Sequence, residues 1–195
     1  MNYKVLIFFL LLCTCAKSQT KLMSYKSSTE INETTLSGNP AYSFELESYE
    51  KGLISLEEFK GKVVILNFWH LRCGSCWVEI SSLNKLLSKY KDDLVIISIT
   101  QDNIEDLNKA LTPVEKGYEI KDEKFNAKYI NYVIIPEAQQ LIEKYKVSYY
   151  PMNFVIDQQG VIVKALPFMR NWSDEINGFV DNAFLEEEVV KLLKK

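Results

Sequence analysis

Val63-Val64-Ile65-Leu66-Asn67-Phe68, followed by Trp69-His70-Leu71-Arg72 and then Cys73-Gly74-Ser75-Cys76-Trp77-Val78-Glu79-Ile80, is the stretch on which the fold turns. Its first six residues are almost wholly apolar and open on β-branched side chains, the pattern of a strand buried on both faces in a central parallel sheet. From Cys76 onward Trp77, Ile80, Leu83, Leu86, Leu87 and Tyr90 recur at helical spacing. One face of a helix therefore belongs to the core, while Lys85, Ser88 and Lys89 meet water. Strand, sharp turn and amphipathic helix follow in order, and two cysteines sit at the turn.

Working outward, Leu94 to Ile99 is a second apolar run, and Asp102-Asn103-Ile104-Glu105 reads as a helix start with Asp102 as cap and Glu105 closing the box. Thr112 to Asn131, broken by Pro113 and Gly117, reads as irregular. Tyr132 to Ile135 is a short strand, and Pro136 suits the first turn of a helix running through Leu141, Ile142 and Tyr145. Phe154 to Ile156 and Val161 to Val163 flank Asp157-Gln158-Gln159-Gly160 as a hairpin, with Pro167 stopping its second strand. A final helical region, in one or two pieces, spans roughly Ser173 to Leu193. Upstream, Phe44 and Leu46 alternate as in an edge strand, and Ser55-Leu56-Glu57-Glu58 spells a capping box. The order predicts an α/β domain: a mixed central sheet with helices on both faces, an N-terminal strand extension and a central insertion.

The chain has 195 residues, 47% of them apolar and 25% charged, the composition of one folded domain. Its 23 basic and 26 acidic residues form no run of five or six like charges, so nucleic acid is not an expected partner. Lys4 followed by the apolar run Val5 to Leu12 has the layout of a secretory leader, too short to span a bilayer as a helix. Ala16 and Ser18 suit cleavage before Gln19. A second route is open, because Leu12-Cys13-Thr14-Cys15 loosely resembles a lipobox, which would place a lipid anchor on Cys15. The expected organisation is a leader over 1–18, a flexible polar tether over 19–38 and one domain over 39–195, exported to the periplasm or cell envelope.

Of four cysteines, Cys13 and Cys15 fall in or beside the leader, leaving Cys73 and Cys76 for the folded part. No structural disulfide framework is available, and the two-residue spacing suits a pair that cycles between thiol and disulfide. A closed zinc site needs four ligands, whereas the domain offers two cysteines and the single histidine, His70. A peroxidatic signature would need proline and threonine where this chain has Leu66 and His70. Cys73, at the helix start beside Arg72, is the better nucleophile because the unpaired N–H groups there favour a negative sulfur. Cys76, one turn on, can resolve a mixed disulfide, and Glu79, three residues further, is placed to take its proton; a solvent-facing helix glutamate is the plain alternative. The chemistry calls for no cofactor.

Phe68 to Glu79 resembles the active-site segment of the TlpA/ResA-like thiol-disulfide oxidoreductases of the thioredoxin superfamily. Pro40 to Leu46, Leu56 to Lys62 and Tyr145 to Gly160 resemble further segments of that family in the right order. The resemblance implies a thioredoxin-like fold, with Cys73 as nucleophile, Cys76 as resolving thiol and Glu79 as the acidic residue of the envelope-facing branch. It also implies that Pro151 is a cis-proline facing the cysteines, with the Tyr150 backbone docking a partner peptide. Ser75 replaces a proline, Arg72 a tryptophan and Met152 a threonine, and His70 stands where a small residue is usual. The implied activity is reduction of disulfides in envelope proteins, apocytochromes c among the candidates, with re-reduction by a membrane thiol donor. A thiol oxidase or isomerase would use the same residues, and a binding or assembly module would need no Glu79 beside Cys76.

Overall fold

The computed structural model describes residues 36–121, 129–168, 170–173 and 178–194. The apolar run forms β3, Val63–Trp69, buried at every position because its alternating side chains enter two different cores. Val63, Ile65 and Trp69 pack with Trp77, Ile80, Leu83 and Leu86, whereas Val64, Leu66 and Phe68 pack with Leu141, Ile142 and Tyr145. The first four of those partners lie on α1, Gly74–Tyr90, and full burial of each aliphatic among them is worth about 1.5–3 kcal/mol.

β3 is the middle of a five-stranded sheet. On one side it pairs in parallel with β4, Leu94–Thr100, which pairs in parallel with β8, Val133–Ile135. On the other side it pairs antiparallel with β9, Met152–Ile156, which pairs antiparallel with β10, Ile162–Pro167. Helices cover both faces: α1 and the C-terminal α4, Ala183–Leu193, on one, and α3, Gln139–Lys144, on the other. The mixed α/β sheet and the N-terminal extension agree with the sequence reading. The extension is a hairpin of β1, Glu45–Ser48, and β2, Gly52–Ser55, followed by a 3₁₀ turn over Leu56–Phe59 whose Ser55 N–H donates to Glu58 Oε1 (3.0 Å).

Four readings are corrected. Thr112 to Asn131, expected to be irregular, holds most of a three-stranded antiparallel sheet of β5, Leu111–Val114, β6, Gly117–Ile120, and β7, Tyr129–Ile130. Pro113 is tolerated because β5 is an edge strand of that sheet. The final helix does not begin near Ser173: Arg170–Ser173 and Gly178–Asp181 pair as the antiparallel strands β11 and β12, and the helix starts only at Ala183. The cap of α2, Ile104–Ala110, is Asn103, whose Oδ1 accepts from Asp106 N–H (2.8 Å), because the Asp102 carboxylate is engaged elsewhere. Pro136 precedes α3 instead of opening it, since Glu137 adopts a left-handed φ of 53° that no helix accommodates.

The expected leader, Cys15 and residues 19–35 of the tether lie outside the described residues. Leu36 is already buried, and Gly38 N–H donates to Ile162 O (2.8 Å), so packing begins a few residues before Asn39. No described helix is long and apolar enough to cross a membrane.

Candidate active site

The cysteines lie where β3 gives way to α1. Cys73 is the N-cap of α1, its Sγ accepting from the Cys76 backbone N–H (3.2 Å), and the Ser75 hydroxyl lies 3.4 Å from the same sulfur. Cys73 and Cys76 are joined in a disulfide with Cα atoms 5.3 Å apart. Both are buried, while Arg72, Gly74 and Ser75 around them are exposed.

The approach to Cys73 is clamped from two sides. Leu71 N–H donates to Asp102 Oδ2 (2.7 Å), and Trp77 Nε1–H donates to Leu71 O (2.8 Å). The same Asp102 oxygen accepts from Thr100 Oγ1 (2.7 Å), which is why this side chain does not cap α2. Cys73 N–H donates to His70 O (3.0 Å), and the His70 ring meets Tyr150 edge to face at 4.8 Å. His70 is thus packed against the Tyr150 side chain. The Tyr150–Pro151 peptide is cis, and Tyr150 packs on the cluster that contains both cysteines. Burial, with the Asp102 charge adding, pushes the Tyr150 phenol above its ordinary range.

Glu79 faces inward and is 1% exposed, which removes the solvent-facing alternative. It lies one turn along α1 from Cys76, a spacing that makes two side chains neighbours on one helix face. Its carboxylate receives three amide N–H groups: Asn67 Nδ2 on Oε2 (2.9 Å), and Asn153 Nδ2 and Asn182 Nδ2 on Oε1 (2.8 Å each). Asn67 Nδ2 also reaches Asn153 Oδ1 (2.9 Å), and Ser98 Oγ donates to Asn67 Oδ1 (3.3 Å). The sheet register explains the row, since Asn67 on β3 lies opposite Ser98 on β4 and Asn153 on β9, and all three point toward α1. The arrangement suits a buried carboxylate, whose lost hydration must be replaced by donors. Burial, with the Glu79 charge adding, pushes the nearby Tyr132 phenol well above its ordinary range.

The structure thus assembles Cys73, Cys76, Glu79 and the cis-Pro151 turn around the end of β3. Chemically it provides a dithiol/disulfide pair at a helix N-terminus, a buried carboxylate one helical turn from the second cysteine, and exposed residues around the pair. Asn67, Asn153, Ser98 and Asn182 escaped the sequence reading. For the first three the signal is a single polar residue inside an otherwise apolar strand, which burial makes costly unless it has partners. Asn182 carries no such signal, because it falls inside the stretch whose sequence reads as a longer helix.

A model of the AhpC/TSA family matches residues 37–165. The thiol-disulfide oxidoreductase ResA of Bacillus cereus is 30% identical over 187 residues, 95% of this chain and 94% of that protein. Among solved structures, a thiol:disulfide interchange protein of the thioredoxin family from Chlorobium tepidum aligns with a TM-score of 0.58 at 18% identity, over 79% of this chain and 95% of that one. The exposed lipoprotein thioredoxin Etrx1 of Streptococcus pneumoniae aligns with a TM-score of 0.52 at 22% identity, over 77% and 100%. These two likenesses fall on the thioredoxin-like fold. With the family model spanning most of the domain and a relative matched along nearly its whole length, the chain belongs to the AhpC/TSA family as a ResA-like thiol-disulfide oxidoreductase.

Proposed function

We propose that the protein is a disulfide reductase of the cell envelope, with Cys73 as nucleophile, Cys76 as resolving thiol and Glu79 as proton acceptor. The observation that carries the reading is the buried Glu79 carboxylate one helical turn from Cys76, a costly placement that a binding module would not need. The Cys73 thiolate, favoured at the N-terminus of α1, attacks one sulfur of a partner disulfide and expels the other as a thiolate. Cys76 then gives its proton to Glu79 and attacks Cys73 Sγ. The partner leaves as a dithiol once its sulfurs are protonated, and the Cys73–Cys76 disulfide remains. Two electrons pass to the partner, and a membrane thiol donor returns them.

The cis-Pro151 turn and the Tyr150 backbone would hold the partner as an added strand. Exported proteins bearing disulfides, apocytochromes c among them, are the proposed partners. A leader over 1–18, as the sequence pattern suggests, supports export, and Cys15 is the proposed point of any lipid anchor.

The test is the reduction potential of the pair, measured by equilibrating the purified protein in glutathione or dithiothreitol buffers and following the disulfide by mass. A value near that of thioredoxin, about −270 mV, is expected. A value near that of the strong oxidant DsbA, about −120 mV, would replace the reductase reading with an oxidase or isomerase.

A further inference from the structure

We propose that Asn182 and Asn153 are positioning residues for the redox reaction, jointly holding Glu79 Oε1 so that the C-terminal segment completes the active site. The inference deepens the proposed function and rests on Glu79 acting as proton acceptor for Cys76. Asn182 is the residue immediately before α4, and it lies beyond the stretch matched by the family model. Its side chain is buried, and its Nδ2 donates to Glu79 Oε1 (2.8 Å) and to Ser82 Oγ (3.1 Å). Asn153 Nδ2 meets the same oxygen from β9, two residues after cis-Pro151.

An ionised carboxylate only accepts, so the amide nitrogens must face it, and neither residue can serve it with its oxygen. Three donors from β3, β9 and the start of α4 fix the carboxylate in plane and in rotation. A carboxylate on a two-carbon stem would otherwise rotate among several rotamers. The plain structural reading is that Asn182 is there for its backbone, since its φ of 57° and ψ of 28° are left-handed and asparagine tolerates that region. That role leaves unexplained why a buried amide is aimed at the one buried glutamate of the site.

Among the described residues, titratable groups near Glu79 include Cys76, one turn away on its own helix, and Tyr132 from the segment before β8, whose phenol stays neutral. β3, β9 and the start of α4 present the amides of Asn67, Asn153 and Asn182. Donors favour the charged carboxylate, so removing one lets the proton bind at higher pH. The loss of one charge-assisted hydrogen bond corresponds to about one pH unit.

The experiment follows the pH dependence of mixed-disulfide resolution in the full chain. The Cys73 mixed disulfide with glutathione is formed, and release of glutathione by Cys76 is timed by rapid mixing in wild type, Asn182→Gly, Asn153→Ala, Glu79→Gln and the Glu79→Gln/Asn182→Gly double variant. Glycine keeps the left-handed backbone and removes only the amide. Asn153→Ala carries the same test should the glycine variant not fold. The expected result is that either asparagine variant moves the acid limb up by about one pH unit, that Glu79→Gln abolishes that limb, and that Asn182→Gly adds nothing on the Glu79→Gln background. If Glu79→Gln removes the limb while the asparagine variants leave it in place, the positioning role is overturned and the proton-acceptor role stands. If Glu79→Gln leaves the profile unchanged, both fall. A shift from Asn182→Gly that persists in the double variant also overturns the route through Glu79.

Discussion

Phe154 and Asn153 are neighbours on β9 that point to opposite faces of the sheet, so replacing them should separate stability from chemistry. Phe154 is fully buried and packs against Phe68 (ring centroids 5.6 Å) and Tyr145 (4.8 Å) on the face away from Glu79. Truncating a buried phenylalanine costs about 3–5 kcal/mol in transfer and cavity terms, and two aromatic pairs place this one toward the upper end. With a urea m-value of about 2 kcal/mol/M, Phe154→Ala should lower the unfolding midpoint by about 2 M, and Phe154→Leu by well under 1 M. Unfolding of the oxidised protein, followed by tryptophan fluorescence, reads the first quantity, and the pH profile of mixed-disulfide resolution reads the second. The Phe154 variants should keep the wild-type profile. Asn153→Ala should cost less, about 1.5–3 kcal/mol, yet move the profile. A Phe154→Ala cost below about 1 kcal/mol, or a profile shift equal to that of Asn153→Ala, would refute the assignment of the two side chains to separate layers.

Glu79→Gln keeps the side-chain volume but cannot accept a proton from Cys76. Resolution should slow about 100-fold or more, and the mixed disulfide through Cys73 should accumulate in a rapid-mixing assay. Gly117→Ala should destabilise the insertion by about 2–3 kcal/mol or more, because φ is +152° and a Cβ would lie 1.9 Å from Ile130 O; thermal unfolding of the variant checks this. Burial pushes the Tyr118 phenol from 10.0 to about 12. A pKa raised by folding stabilises the fold fully below pH 10.0, and that contribution is lost as pH climbs toward about 12. Urea midpoints should therefore fall across that window by the equivalent of up to about 3 kcal/mol, with late phenolate absorbance; Tyr118→Phe should flatten the fall.

The elements that set the active site were legible because their signals are local. A buried strand, two cysteines at a turn and a helix whose apolar positions recur every three or four residues follow from neighbours in sequence. Glu79 falls on the face of Cys76 by helical spacing alone. The C-terminal misreading has a local cause as well: Trp172, Phe179 and Val180 suit strands, but only the antiparallel pairing of Arg170–Ser173 with Gly178–Asp181 fixes them as such. The insertion was missed for a related reason, since Pro113 and Gly117 read as breakers until the edge position and the close approach of Ile130 account for them.

By itself, then, the sequence determined the cysteine pair, the strand–turn–helix that presents it and the acidic residue one turn below, since each depends on contacts a few residues apart. Only the tertiary structure decided what surrounds that acid. Asn153 and Asn182 stand 74 and 103 residues from Glu79, and Asn153 stands 86 from Asn67. Strand register and the docking of α4 bring them together, and neither has a local periodicity to announce it. The same holds for Asp102, a helix cap by its neighbours but a clamp on Leu71 once β4 lies beside β3. A buried charge needs donors from whatever backbone passes nearby, and which backbone passes there is settled only when the sheet is assembled.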